Sequence, residues 1–581
     1  MQLKPADAIT SGITSHPYLS VILICLISTP LHFAALDPVR SGTLWIITGS
    51  IIVFALWRIV SACKAKRFNS KEAMALSIAS LVVILAATYL YSRAENKQIW
   101  HLLGGFAVVL ALYWFSDRKS RAEELNVFLI TGLGFALKYY YILITSIYDR
   151  QHDVGVFGGK EWHAGYIEYI LNNHSLPNVS PDEMWQSYHP PLHHTVSAMW
   201  IGFNEKILLV DHDAARESLQ VLTLMYSMLI IIISIRIMKY FKLKGHALYL
   251  PLIILNFHPS IIMFAGSINN DPLAAAFVMG AILMTLKWYR NQTIGNIIKI
   301  AFLIGLGMMT KMSSAIVAPA VALVFLLVLI RRIRDKNDIK GIFTQFCVFG
   351  AICIPLGLWH PVRNMLRWGL PLLYVPGLPD NALQKINMPF FDRVTDFSSY
   401  QFKNVYEQWA TIEDGTISGY NEFNPITVAL KTSVFGEYLN DKSFENIKGI
   451  NVYFFSFFMF WIAVIIAILA AIAVIRLLTS GKIISKDDKV IKTGIWFLAS
   501  YIVVSTISYY KLAGELPFVC TMNFRYIVPL VPVSLTLTGL WIEKDLLVNE
   551  KIRKPSLVAL YSCFIVFSFC TTVFMGAVGF I

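Results

Sequence analysis

Charge is scarce in this chain. Asp, Glu, Lys and Arg make up 15% of its 581 residues, where a soluble protein carries about a quarter. Cysteine is scarce too: seven residues, mostly in or beside apolar runs, with no Cys-x-x-Cys spacing. That pattern excludes a disulfide scaffold and a zinc ribbon and reads as small packing residues. No low-complexity tract and no short repeat occurs, which argues against a disordered tail or a solenoid. A Gly-rich nucleotide loop is also missing from the basic loops expected on the cytoplasmic side.

Apolar residues are abundant instead, at 56%, with a mean hydropathy of +0.59. Runs such as 18–33, 44–59, 315–330 and 452–475 recur from end to end. Each is long enough, or nearly so, to cross a bilayer core of about 30 Å. In hydrocarbon a segment must satisfy its own backbone, so these runs predict helices. The alternating polarity of a β-barrel is absent. The first run lacks a small-residue cleavage site and more spans follow it, so the expectation is a span, not a leader.

The net charge of +13 could suggest nucleic acid, but its placement gives a different reading. Lys and Arg cluster in short loops, around Lys64–Arg67, Arg118–Arg121, Lys239–Lys244, Arg331–Arg334, Lys482–Lys489 and Lys551–Lys554. Such loops face the cytoplasm. About fifteen helices put every one of them on the same side, with the N-terminus inside and the C-terminus outside. The fold class expected is therefore an all-α polytopic membrane protein in contact with the bilayer, with no nucleic acid as partner.

Two long segments then project outside, at about 148–216 and 360–450. Four spans fill 15–116, a fifth covers about 127–147, six lie between the two segments, and four close the chain. The first segment holds nine acids against four bases, and seven of the thirteen histidines. Within it, 162–171 has helical apolar spacing and 192–209 reads as an amphipathic helix lying on the membrane surface.

Asp149 and Asp153 follow the fifth span directly. Partial burial there would raise a carboxylate towards the range of a general base, although a solvated helix end is the blander account. Asn270 and Asp271 precede another span, where Asp271 and Pro272 make a good helix start with a substrate role as an alternative. Lys311, Arg363 and Arg525 are isolated cations at external helix ends. Singly each reads as snorkelling; together they could converge on one anionic group, Arg offering phosphate a two-pronged fork. His189 and His193 are four apart, but two prolines intervene and no structural zinc pattern results. No cofactor is expected, with a divalent metal left open.

These positions, in this order and on one side, resemble the GT-C class of membrane glycosyltransferases. The similarity is to the protein O-mannosyltransferases and the aminoarabinose transferases that use polyprenyl-phosphate sugars. It rests on Asp149-x-x-His152-Asp153, His163-Ala-Gly-Tyr166, Tyr188-His189-Pro-Pro, Asn270-Asp271-Pro272, Gly305-Leu-Gly307 to Lys311, Arg363-Asn364 and Arg525-Tyr526, over roughly 125–540. The resemblance implies a GT-C-like core in 123–359 carrying the first external loop, and the second loop in 360–450. C-terminal helices follow in 451–581, and accessory helices fill 1–122.

It further implies inverting sugar transfer from a polyprenyl-phosphate carrier at the external face of a bacterial plasma membrane. Asp153 is then the first choice for the base and Asp149 the second. In the family's commonest pattern the acids lie close before the Tyr-containing helix, which makes Glu161 a third. Lys311, Arg363 and Arg525 would hold the donor phosphate. His163, Tyr166, His189, Asn270 and Asp271 would line the substrate site. The competing class is a transporter or flippase, which would carry paired ionisable groups at mid-span. The acids and cations here lie at one face, which favours the enzyme; a scaffold role in an assembly remains a third reading.

Overall fold

The computed structural model describes residues 123–150, 153–377, 382–406, 410–413, 416–420, 422–437, 451–479 and 488–577, with Tyr18, Leu439 and Ser443. The four spans expected in 15–116 and His152 lie outside these residues. Among the described residues the fold is helical, apart from one two-stranded hairpin in the second long loop, β1 (Ala410–Glu413) and β2 (Thr416–Tyr420).

The helices used below are α1 (Glu123–Ile144), α2 (Trp162–Asn173), α3 (Leu192–Lys206), α4 (Leu219–Tyr240), α5 (His246–Phe257), α6 (Pro259–Gly266) and α7 (Asp271–Arg290). After them come α8 (Ile294–Thr310), α9 (Val317–Arg334), α10 (Ile339–Trp368), α11 (Pro425–Phe435), α12 (Val452–Thr479), α13 (Lys489–Glu515), α14 (Leu530–Trp541) and α15 (Glu550–Ala577). By length and composition, seven described helices can cross a membrane, or nine if each of two bent pairs is one span. Helices appear at both expected places in the first loop, as α2 and α3, and neither counts as a span.

The spans differ in depth. α7 is 83% buried over its most apolar stretch and α10 only 22%, so α7 is central and α10 turns its flank outward. Close approach is built from small residues: a Cβ on Gly539 of α14 would lie 2.6 Å from the carbonyl oxygen of Ala247 in α5. Substituting Gly539 would therefore push the two helices apart.

One of the bent pairs shows how buried backbone is satisfied. Pro259 has no N–H to give, so the helix breaks between α5 and α6 at an angle of 48°. Side chains from neighbouring helices bond to carbonyls around the break. Lys138 of α1 donates to the Asn256 oxygen at 2.9 Å. Ser227 and Thr223 of α4 donate to Ile261 at 2.7 Å and Ala265 at 2.8 Å. Lys138 is fully buried, and the sequence reading did not single it out. It is bonded to backbone oxygens, Gly134 of its own helix at 3.3 Å being the other, and so ties α1 to the end of α5 beside the break.

The structure corrects one boundary. The span ending near residue 359 in the sequence reading continues as α10 to Trp368, through Pro355 and Pro361. Arg363 therefore stands on a helix and not at the start of the second loop. That loop packs back onto the bundle through Arg393, whose buried guanidinium donates to the oxygens of Ala513 at 2.7 Å and Phe423 at 3.1 Å.

Candidate active site

α1 ends at Ile144, and the chain turns sharply at once. Asp149 closes that turn by accepting the Ser146 N–H at 2.9 Å, in an exposed position. Arg150 and Asp153 both adopt left-handed backbone, φ 54° and 55°. Neither is glycine, and such a conformation costs on the order of 1 kcal/mol per residue, so surrounding contacts must hold it. Those contacts are present. The Arg150 guanidinium donates to the Phe435 oxygen at the end of α11. The Asp153 carbonyl accepts the His163 N–H at 3.0 Å, and that of Val154 accepts the Ala164 N–H at 2.8 Å, tying the loop to the start of α2.

Four charges from four elements then line up in alternation. Asp153 Oδ2 accepts from Arg525 Nη2 at 2.7 Å. Arg525 Nε lies 3.9 Å from Asp271 Oδ2, and Asp271 Oδ1 accepts from Lys311 Nζ. Tyr526 lies along the two cations, its ring centroid 5.0 Å from the Arg525 guanidinium and 4.9 Å from the Lys311 ammonium. Arg525 is aimed by its own turn: Asn523 Oδ1 accepts the Arg525 N–H at 2.8 Å, and the Asn523 amide donates to Glu437.

Asp271 does not behave as the simple helix cap that the sequence suggests. It is the first residue of α7; the capping position belongs to Asn270, whose side chain makes no cap bond. The Asn270 amide instead donates to the Thr310 oxygen at 3.1 Å, joining the start of α7 to the end of α8 beside Lys311. Asp271 Oδ2 and Arg525 Nε are both buried without a hydrogen bond. Such orphaned atoms are costly in an interior and are common where a ligand completes the set.

Beside the charges stands a stack of rings. His163 Nδ1 and His194 Nε2 are 2.8 Å apart and share a hydrogen bond. The His163 and His189 rings stack with centroids 5.7 Å apart, Tyr166 meets His194 at 4.3 Å, and Tyr188 meets His189 at 3.9 Å. His193 donates to the Ile268 oxygen at 2.8 Å. Burial pushes His163, His189 and His194 well below the usual histidine range; neighbouring histidines add to it in all three, and the Lys311 and Arg525 charges in His163 and His189. Burial lowers His193 to about 4, against smaller raising effects of its bond to Ile268 and of Asp271. All four are neutral at pH 7. Among the described residues no three His, Cys, Asp or Glu side chains are arranged to hold a metal ion.

The remaining expected site residues fall elsewhere. Arg363 does not join Lys311 and Arg525; it donates to the Pro177 oxygen at 2.6 Å and lies over the Trp368 ring. With Arg367, which bonds Asn178 at 2.6 Å, it fastens the first loop to α10. Glu161 is exposed before α2 and makes no cap bond. Arg150, Tyr188, His194, Glu437 and Asn523 belong to the arrangement but were not in the expected set. Arg150 and Tyr188 had an advance signal in standing beside Asp149 and His189, whereas nothing in the sequence marked Glu437.

An apolar cavity of about 410 Å³ opens one residue from the charges. It is lined by Phe524 at one end, by Ala463, Ala467 and Ala471 of α12, and reaches Ile475 near that helix's far end. The α12 residues from Phe460 to Ile475 that line it span roughly 22 Å at the rise of an α-helix. A second cavity, of about 20 Å³, lies against Arg525, Arg150 and Asn269.

Residues 201–359 match the family model of dolichyl-phosphate-mannose-protein mannosyltransferase. The matched segment contains Asn270, Asp271 and Lys311 but not Asp153, Arg363 or Arg525. No curated protein sequence matches the chain. Among solved structures, the crystal structure of ArnT from Cupriavidus metallidurans bound to undecaprenyl phosphate is 12% identical with a TM-score of 0.43, covering 78% of this chain and 77% of that one. At that score the likeness carries no argument. The family match supports the resemblance of this multi-pass chain to GT-C membrane glycosyltransferases.

Proposed function

We propose that this chain is a membrane glycosyltransferase that moves a sugar from a polyprenyl-phosphate carrier to an acceptor hydroxyl, at the external face of a bacterial plasma membrane. One observation carries the reading. Phe524 lines a long apolar cavity, and Arg525, the next residue, belongs to a buried charge chain with unsatisfied atoms. A ligand with an anionic head and a long hydrocarbon tail fits both halves of that junction. The external location rests on the basic loops, which lie at the opposite ends of the spans.

In this reading Asp153 takes the proton of the acceptor hydroxyl while its oxygen bonds to the anomeric carbon. The bond from that carbon to the phosphate oxygen breaks, and its electron pair leaves with the carrier. Lys311 and Arg525 meet the charge growing on the phosphate, in a setting with few waters to reorganise. A single displacement inverts the anomeric centre. Asp153 is preferred to Asp149 and Glu161 because only Asp153 reaches the cations; Asp149 is spent on its own turn. Tyr188 and His189 form an aromatic wall suited to a sugar face, while His163 and Tyr166 support it from behind. Arg363 acts in this scheme as a loop anchor and not as a phosphate ligand.

The test is incubation of the purified protein with defined polyprenyl-phosphate sugars, following loss of sugar from the carrier and the anomeric configuration of the product. Transfer with inversion is expected. Movement of the intact donor across a vesicle membrane without sugar loss would favour the flippase instead.

A further inference from the structure

Two roles assigned to this site conflict in the geometry observed. Arg525 is to hold the carrier phosphate, and Asp153 is to accept a proton, yet the two are bonded to each other. Arg525 Nη2 is occupied by Asp153 at 2.7 Å and by the Tyr526 hydroxyl at 3.1 Å. The Arg525 side chain is only 9% exposed, and that of Asp153 is 36% exposed. Asp153 is therefore the outer partner. A carboxylate oxygen engaged by a guanidinium is also turned away from an acceptor hydroxyl.

The second carboxylate of the chain is placed differently. Asp271 is buried at the start of α7, with its N–H bonded to Asn269 Oδ1 at 3.1 Å and its carboxylate on Lys311. Asp153 sits on a loop in left-handed backbone, two residues before Gly155, itself at φ 69°. Of the two acids, Asp153 is the more exposed and stands on a loop, not on a helix, so its side chain is the one placed to exchange partners. Charge agrees: two cations and two carboxylates cancel, so an arriving phosphodiester adds one negative charge. When Asp153 turns to an acceptor and takes its proton, that charge passes from the carboxylate to the departing phosphate, beside the two cations, with the total unchanged.

We infer that the carrier phosphate displaces Asp153 from Arg525, so that the base is released only when the donor is seated. This rests on the carrier-phosphate reading above. It makes binding ordered, donor before productive acceptor, and it protects the donor from attack by stray nucleophiles until the site is full. After transfer, loss of the proton from Asp153 restores the carboxylate, whose return to Arg525 helps expel the spent carrier.

The experiment is titration of a short-chain polyprenyl phosphate, in detergent, into the wild-type protein and Asp153→Asn. Removing the internal competitor should tighten binding by about tenfold, the scale of one charge-assisted contact, while turnover falls. Asp213→Asn, which removes the same charge from an exposed position, should bind as wild type does. A merely structural ion pair predicts the opposite sign, since Arg525 would lose its orientation and Asp153→Asn would bind more weakly. Weaker or equal binding overturns the exchange. Inorganic phosphate is titrated in parallel: a gain there too assigns the exchange to the headgroup alone, and a gain with the lipid only supports it with the chain delivering the phosphate. If neither protein binds the lipid phosphate, the carrier reading falls and the exchange falls with it. Equal affinity in both removes the exchange and leaves that reading standing.

Discussion

Two buried clusters of charge lie at the same end of the bundle, and they are finished to different degrees. In the second loop, Glu422 accepts from Lys431, from Thr427 at 3.1 Å and from Ser399 at 3.2 Å, and the Lys431 ammonium lies over the Tyr400 ring. Both charged side chains are almost completely buried. In the candidate active site, Lys311, Asp271, Arg525 and Asp153 alternate as neatly, but Asp271 Oδ2 and Arg525 Nε are left without hydrogen bonds. A closed pair gains nothing from a further ligand and acts as a strut. An open chain pays a desolvation cost that a bound anion can repay, which is how a site differs from a brace.

The comparison is sharpened most by breaking the strut. Lys431→Met strands a buried carboxylate, and loss of a buried partner costs about 3–5 kcal/mol. Burial already pushes the Glu422 carboxyl up, against the lowering effects of Lys431, Thr427 and Ser399. Thermal unfolding in detergent should show a large fall in midpoint, mostly recovered in the double variant with Glu422→Gln. Asp153→Asn, whose side chain is 36% exposed at the outer end of the chain, should move the midpoint far less. Similar losses in both variants would erase the distinction between brace and site.

Acid should act on the histidine stack next. An unfolded histidine titrates near 6.5, and His193 is lowered to about 4 in the fold by its burial. Between those values the unfolded chain binds the proton that the folded one refuses. Stability is then complete above about pH 6.5 and is lost as pH falls towards 4, by about 3 kcal/mol from His193 alone. Unfolding midpoints measured across that window check the sign; a rise on acidification would mean that the cluster charges in the folded state.

Much of this was legible in the sequence, and the reason is periodicity. Apolar spacing gave α2, α3 and the described spans, and the basic loops gave each span its direction. Lys311, Arg525 and Asp153 could be put on one face because each follows or precedes a span whose expected direction the basic loops supply. What spacing does not carry is which side chains meet. Asp153 and Arg525 lie 372 residues apart, and nothing local to either announces the pairing. Arg363 looks like Arg525 in sequence, an Arg at an external helix end, but the helix continues past Pro361 and turns it onto Pro177. Lys138 and the Glu422–Lys431 pair escaped for the same reason: a single Lys in an apolar run says nothing of the carbonyl or carboxylate that holds it.

The smallest effect expected is at Arg363. Its change to Ala removes the bonds to Pro177 and Asn364 and a ring contact, for about 1.5 kcal/mol of stability, and should leave affinity for polyprenyl phosphate unchanged. A clear loss of affinity with the fold intact would return Arg363 to the phosphate site, and the open chain would have three cations in place of two.

The most direct measurement of the central claim is single-turnover transfer from a defined polyprenyl-phosphate sugar, comparing the wild-type protein with Asp153→Asn at saturating donor. The amide keeps the shape of the carboxylate but cannot take the acceptor's proton. Transfer should slow by about 10²-fold or more while the donor still binds. Transfer at the wild-type rate would contradict the account.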